Sequence, residues 1–359
     1  MRDIVNYCLP VLLAIIITMF PQSGFSAAVP AGTRTFTDMA GHTITIPANV
    51  TRIGDLWPAN NEVVVMLGAG SKLVATSTVS QSLPWIKTIY PRFDRIAAPF
   101  TVGDVNLEEL LKANPQVVIT TTGGGKSNSS SMSAMARTIN GVGIPTVTFY
   151  MTNFDELKQT VLLTGRLLGA DETKKAEEWT RYFDSRLANI RRVLSTIPAG
   201  HKPTVLHVMG VSPIRVDGGG TIIDAWIQAA GGINAAKDVF GVVSTVSIEQ
   251  VLKWNPDIII AGTTEQDREA ILSNAQWRRL KAVRDGRVYV NPKGVYSWDR
   301  HDAEEALQIQ WAAKTLYPDK FQSLDIVKET REFYRLFFRY NLRDDEVRDI
   351  LVPRSPTRY

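Results

Sequence analysis

The chain is 359 residues long, 44% hydrophobic and 21% charged, with 40 Lys and Arg against 36 Asp and Glu for a formal charge of +4. That length passes the roughly 250–300 residues at which one core stops growing, so two domains are expected. The basic excess is small and forms no long run, which excludes nucleic acid as the expected partner, and one cysteine excludes a disulfide framework.

Residues 1–28 read as a secretory signal peptide. Arg2 opens a short polar region, residues 8–20 (CLPVLLAIIITMF) are apolar, and Pro21 and Gly24 break any helix. Ser26-Ala27-Ala28 then supplies the small residues of a cut after Ala28. Thirteen apolar residues fall short of the roughly 17–25 that a membrane anchor needs. Cys8 precedes most of the apolar stretch, whereas a lipid-bearing cysteine would follow it, so the mature chain is expected to carry neither lipid nor thiol. No later stretch is long and apolar enough to span a bilayer. A soluble periplasmic protein is expected.

Residues 34–154 read as a first α/β lobe. A strand predicted around residues 52–56 is followed by Trp57-Pro58-Ala59-Asn60-Asn61, and the carboxyl end of such a strand is where α/β sheets bind ligands. Trp57, Asn60 and Asn61 are therefore candidate ligand contacts, and Trp85 lies in a loop that can line the same cleft. Residues 105–119 (VNLEELLKANPQVVI) predict a capped helix, a stop at Asn114-Pro115 and a buried strand. The loop beyond contains Gly125-Lys126-Ser127, but a phosphate-binding loop needs glycine where Thr120 stands. Its glycines are read as bringing backbone close to a ligand. Another strand is predicted over 144–150.

Residues 155–198 read as linker helices. The first is predicted over 154–168, and a second runs from Asp171 to about Ile197. Ala176, Trp179, Phe183, Leu187, Ile190 and Leu194 recur at spacings of three and four, one apolar stripe. About 26 residues at 1.5 Å each make a rod of roughly 39 Å. Such a rod can bridge two lobes or belong wholly to one.

A second α/β lobe is expected over 202–352. Its residues 246–260 (VSIEQVLKWNPDIII) repeat residues 105–119 without gaps at an offset of 141. Asn106 with Glu109, and Ser247 with Gln250, predict two capping boxes. Asp217-Gly218-Gly219-Gly220-Thr221 precedes a helical run and offers backbone N–H groups to an anion. A strand over 286–292 leads into PKGVYSWDRHD, which gathers Tyr296, Trp298, Asp299, Arg300 and His301. An arginine fork suits carboxylate or catecholate oxygens, and tryptophan stacks on flat ligands. Tyr296, Trp298, Arg300 and His301 are the second lobe's candidate contacts. Helices over 303–351 are expected to pack on that lobe. No Gly-x-Ser-x-Gly elbow or HExxH motif occurs, His207 reads as a core residue and His42 as exposed, and no catalytic or metal-ligating set is expected.

The segments DMAGHTITIPANVTRI and LGAGSKLVAT, with the duplicated NLEELLKANPQVVI and SIEQVLKWNPDIII, resemble the iron-siderophore/cobalamin type of periplasmic binding protein, class III of the ABC-transporter substrate-binding proteins. The resemblance spans residues 36–316. It implies an α/β fold of two Rossmann-like lobes joined by one long backbone helix, with the ligand cleft between the lobes and small closure motions. It implies a monomer with no cofactor and no enzymatic activity, which captures a metal chelate (a ferric siderophore, haem or cobalamin) and delivers it to a membrane ABC permease and its ATPase. Some branches take nickel chelates or molybdate-like oxyanions instead. Glu108 and Glu249, at the third position of the two repeats, match the glutamates that meet permease arginines. The scarcity of clustered carboxylates and histidines argues against a naked divalent cation as cargo. A secreted α/β hydrolase and a surface interaction module are the rival classes.

Overall fold

The structure is a computed structural model and describes residues 31–122, 129–262, 264–354 and 356. The expected signal peptide and the Gly125-Lys126-Ser127 segment lie outside these residues. In the first lobe, β1 (Thr33–Thr37) and β2 (Thr43–Pro47) form an antiparallel pair. Asp38 in their turn accepts hydrogen bonds from the backbone N–H groups of His42 (2.8 Å) and Thr148 (2.9 Å), fastening the pair to the main sheet.

That main sheet contains β3 (Ile53–Asp55), β4 (Leu73–Ser77), β5 (Ala97–Thr101), β6 (Asp104–Val105), β7 (Val117–Thr122) and β8 (Thr146–Tyr150). The order is β6-β5-β4-β3-β7-β8, and only β6 runs antiparallel to its neighbour. Parallel strands are covered on both faces, which is why Val117-Val118-Ile119 is an unbroken β-branched run, fully buried. The flanking helices are α1 (Pro58–Met66), α2 (Thr78–Gln81), α3 (Pro84–Ile89), α4 (Leu107–Ala113) and α5 (Ser129–Gly141). Pro58 opens α1, where a fixed φ and a missing N–H cost nothing.

The chain leaves through α6 (Phe154–Leu168) and α7 (Ala170–Leu194). Gly169 makes the turn between them at φ 151°. The two helices approach closely at Gly165, where a Cβ would stand 2.8 Å from the Glu172 carbonyl oxygen. At 25 residues, α7 is about 37 Å long. Its stripe of Ala176, Trp179, Phe183, Leu187 and Ile190 is buried as the spacing predicts.

The second lobe contains β9 (Thr204–Val211), β10 (Ile214–Val216), β11 (Ile233–Asn234), β12 (Ser244–Thr245), β13 (Ile258–Ala261) and β14 (Val288–Val290). Their order is β12-β10-β9-β13-β14, with β11 beside the start of β9. Around them lie α8 (Ile222–Ala229), α9 (Ile248–Trp254), α10 (Glu265–Ser273) and α11 (Lys281–Arg284). The internal repeat folds alike in both lobes. α4 and α9 each end on an asparagine in the left-handed region, Asn114 at φ 51° and Asn255 at φ 42°, a conformation asparagine tolerates. Only half of each expected capping box forms. Asn106 and Ser247 accept from the N–H groups of Glu109 and Gln250, but the Asn106 N–H goes to Pro99 and the Glu109 carboxylate to the Ala98 N–H.

The chain ends in α12 (Glu305–Leu316), α13 (Ile326–Phe333), a π turn over Tyr334–Phe338 and α14 (Asp344–Leu351). These were expected on the second lobe; they cross both. Phe337 packs edge-on against Tyr182 of α7 at 5.3 Å between ring centroids. The Arg339 guanidinium lies against Gly68, and the Arg354 carbonyl accepts a 3.2 Å hydrogen bond from Trp85 Nε1. One apolar core accordingly runs from Ile53 and Val147 in the first lobe through Trp179 to Ile258 and Leu307 in the second.

Trp179 sits at the middle of that core, with Nε1 donating to the Ala303 carbonyl at 3.0 Å. Trp179→Ala is expected to lower stability by about 3–5 kcal/mol in urea denaturation, the usual result of emptying a large aromatic site. A loss under about 1 kcal/mol would show that α7 is not the centre of the core.

Candidate functional site

The segments that follow β8 and β14 meet where the lobes join, and α1, which follows β3, reaches the same place through Glu62. Trp57 follows β3 and stands just before α1, half buried, its Nε1 enclosed without an acceptor. Met151 follows β8, and its carbonyl receives the Nδ1 hydrogen bond of His301 at 2.5 Å. His301 comes from the segment after β14 and adopts φ 64°, a strained conformation for a residue other than glycine. Burial first, then the neighbouring Arg300, pushes its pKa down to about 4, so the ring is neutral and donates from Nδ1.

Behind Arg300 lies a buried ion network. His207 on β9 places Nδ1 2.7 Å from Asp217 Oδ2 and Nε2 2.7 Å from Asp299 Oδ2. The first is a directed hydrogen bond; the second is an ion-pair contact without hydrogen-bond alignment. Burial opposes the charge on His207, but the two aspartates together outweigh it and raise its pKa. Burial also acts against the Asp217 carboxylate, yet His207 and Arg300 hold it well below the usual range. Arg300 reaches Asp217 through Nη2 at 2.6 Å and Nη1 at 3.4 Å, a forked grip, and its Nε is buried without an acceptor. Its side chain keeps 11% exposure. Tyr296 is half buried beside it, with its phenol pushed up to about 12 chiefly by burial.

Beside this network the fold assembles a carboxylate cluster. Glu62 on α1 and Asp302 and Glu304 ahead of α12 bring one oxygen each within 4.8 Å of one another, all three buried. Glu304 is positioned by donors: Trp298 Nε1 at 2.9 Å, the Tyr334 hydroxyl at 2.5 Å and the Tyr296 N–H at 3.2 Å. Glu62 and Asp302 make no hydrogen bond with either oxygen. The Ala303 and Glu304 N–H groups approach Glu62 and favour its charge, but without hydrogen-bond alignment. Burial pushes the Glu62 and Asp302 carboxyls up, reinforced by their acidic neighbours. The sequence groups Asp299, Asp302, Glu304 and Glu305 within seven residues, contrary to the scarcity of clustered carboxylates expected, and folding adds Glu62 from 242 positions before Glu304.

Of the sequence-predicted ligand contacts, Tyr296, Arg300 and His301 come together here, and Trp57 stands at the start of α1, the helix that carries Glu62. The others take structural places. Asn60 is fully buried, donating to Asp55 Oδ2 at 2.7 Å, and Asn61 donates to the Asp55 and Trp57 carbonyls while accepting from Thr76. Both hold the start of α1 against β3. Trp85 is 1% exposed under the C-terminal segment, and Trp298 is fully enclosed with its N–H on Glu304, so neither ring offers a face to a ligand. The glycine run after β10 offers no anion site either. The Gly218, Gly219 and Gly220 N–H groups are taken by Gly241 and Val239 carbonyls and by Asp224. Its first two glycines are there because a Cβ would lie 1.8 Å from Val239 O at Gly218 and 2.2 Å from Lys237 O at Gly219. Glu62 and Asp217 escaped the sequence reading. An acid inside the helix whose nine residues are all buried was the available signal for Glu62.

Glu108 and Glu249 occupy the second positions of α4 and α9, both exposed, one on each lobe. A surface cavity of about 530 Å³ lined by Tyr90, Arg92, Arg95 and Lys112 also touches Leu73 and Ala97, the first residues of β4 and β5. It therefore lies at the amino ends of the strands, opposite the cleft.

Two α/β lobes on a shared helix, with cationic and aromatic side chains where their loops meet, define a solute-binding protein. The family model described as periplasmic binding protein matches residues 56–294, and the chain belongs to that family. It is 26% identical over 344 residues to the molybdate-binding protein MolA of Haemophilus influenzae, covering 87% of this chain and 93% of that one. It is 27% identical over 296 residues to the Bacillus subtilis ABC transporter substrate-binding lipoprotein YvrC, covering 80% and 87%. The fold matches a periplasmic solute-binding protein from Veillonella parvula with a TM-score of 0.75 and 27% identity, over 89% of this chain and 97% of that one. The protein is the substrate-binding component of an ABC importer, working with a membrane permease and ATPase, and is not an enzyme.

His301 has a folded pKa of about 4 against about 6.5 unfolded, so between those values the unfolded chain binds more protons. Its contribution to stability, on the order of 3 kcal/mol, is complete above pH 6.5 and lost as pH falls toward 4. Comparing wild type with His301→Gln in urea across this range should show a shallower decline in the variant. Parallel curves would mean that His301 does not titrate as its burial requires.

Proposed function

We propose that the cargo is a small anionic metal species, either a chelate with peripheral carboxylate or catecholate oxygens or an oxyanion of the molybdate kind. The observation that carries this reading is that Arg300 Nε, in ion-pair range of Asp299 Oδ2 at 3.8 Å, and Trp57 Nε1 on the other lobe are both buried donors without a hydrogen-bond acceptor. Leaving a buried donor unpaired costs about 1–3 kcal/mol, and an anion between the lobes removes that cost. The similarity to MolA supports the oxyanion branch. Haem and cobalamin form the second reading, favoured only by the family's breadth, since Trp298 gives no stacking face. Residues 1–28 direct export to the periplasm in this reading.

Calorimetric titration of the purified protein with molybdate, tungstate, ferric citrate, a ferric catecholate, haemin and cyanocobalamin tests it. Saturable binding of one of the four anions is expected, weakened by roughly 1.5–3 kcal/mol in Arg300→Ala and partly restored in Arg300→Lys. Selective binding of cobalamin, or an affinity indifferent to Arg300, would overturn the assignment.

Glu108 and Glu249 are proposed as the permease-docking residues. They recur at one place in two diverged repeats, stand on separate lobes and are exposed at helix starts. The Glu249 backbone N–H and the Ser247 side chain hold the Glu249 carboxyl below the usual range, so it is charged. Contacts of this kind govern encounter and orientation, and they are screened by salt. The double reversal Glu108→Arg with Glu249→Arg should abolish uptake in cells and weaken association with permease vesicles most at low salt, with cargo affinity unchanged. Normal uptake by that variant would refute the assignment.

A further inference from the structure

The cluster of Glu62, Asp302 and Glu304 is not accounted for by cargo binding. Among the described residues no lysine, arginine or histidine forms an ion pair with any of the three, nor with Glu305 beside them. Glu305 is fully buried as well, and neither of its oxygens has a hydrogen-bond partner. Arg300 is committed to Asp217 and Asp299 on the neighbouring network. Two carboxylates at about 4 Å repel by roughly 4 kcal/mol even at an effective dielectric constant of 20, and three such groups form three pairs. Something positive must sit among them, a metal ion or protons.

We propose that Glu62, Asp302 and Glu304 form a resident site for a hard divalent cation, distinct from the cargo site, which joins the first lobe to the second. The donor set is carboxylate oxygen alone, the chemistry that selects calcium, magnesium or manganese and disfavours softer metals. Glu62 and Asp302 bring four oxygens free of hydrogen bonds. Glu304 is already oriented by Trp298, Tyr334 and the Tyr296 N–H, which is how a ligand is held by the groups around it. All three of those groups are donors, so they favour the ionised, acceptor-only carboxylate that a metal requires. Gly294 completes the enclosure, since a Cβ there would lie 2.0 Å from Glu304 Oε1. Because Glu62 rides on α1 and the other two precede α12, an ion here ties the lobes on the side of α7.

The test uses the full mature protein, stripped with EDTA and then equilibrated with calcium, magnesium or manganese chloride. Metal analysis after equilibrium dialysis should find one ion per chain for at least one of the three, with a saturable rise of Tm. Glu62→Gln and Asp302→Asn should each lose the ion and the Tm response, and two variants guard against one failing to fold. Arg300→Ala, which disables the proposed cargo contact, should keep both, so failure of the cargo reading leaves this result intact. No ion and no Tm response at millimolar concentrations of all three salts would overturn the proposal and assign the cluster to shared protons. Ion binding that survives both Glu62→Gln and Asp302→Asn would overturn it too, by placing the metal elsewhere.

Discussion

Trp179 and Phe183 stand one turn apart on α7, their ring centroids 5.3 Å apart, and apolar side chains of both lobes close around them. Every other arrangement in the molecule depends on this burial. A protein of two lobes could flex about a linker of bare backbone, but here the linker is a helix whose apolar stripe belongs to the common core. Separating the lobes would expose that stripe at about 25 cal/mol for each Å² of apolar surface. The C-terminal helices add a second layer, with Phe337 against Tyr182 and Arg339 against Gly68. The shared core therefore holds the two lobes, and the exposed Glu108 and Glu249 on them, in one fixed relation.

Where the loops meet, the chain buries charge rather than hydrocarbon. The His207, Asp217, Asp299 and Arg300 network is costly to desolvate, and a buried ion network is weak evidence for stability. Its value lies in geometry. Asp217 and Asp299 restrain the long arginine side chain, so the guanidinium keeps little rotamer freedom, which suits the anion contact proposed for it. The two aspartates raise the pKa of His207, so the imidazole shares with Arg300 the task of balancing them. The strained backbone of His301 next in sequence fits the same picture, a loop bent to aim side chains rather than to pack them.

Much of the architecture was legible because local rules and the global fold agree. The Asn-Pro ends of the two repeats, the stripe on α7 and the β-branched strands each state one structural choice, and each choice stands in the structure. The candidate site was legible only in part. The place of Arg300 and Tyr296 after a strand made them candidates and both stand in the proposed site, but Trp298 and Trp85 could not be told from core, since a tryptophan serves either use. Asn60 and Asn61 misled because a polar pair after a strand resembles a binding loop, whereas here both amides hold α1 against Asp55. Glu62, Asp217 and Glu304 were overlooked for another reason. Their meaning arises only when Glu62 is brought to Glu304 across 242 positions and Asp217 to Arg300 across 83, and spacing along the chain says little of that.

The hydrogen bond from Trp85 to Arg354 spans 269 positions. Trp85 belongs to the first lobe, yet its indole is roofed by the segment around Arg354. The first lobe therefore cannot seal its own interior until that segment has docked on it. Long-range closure of this kind slows folding, because the entropy of a very large loop is surrendered before the contact rewards it. The two ends of the described chain are thereby coupled: loosening the segment around Arg354 would uncover an indole that belongs to the opposite lobe.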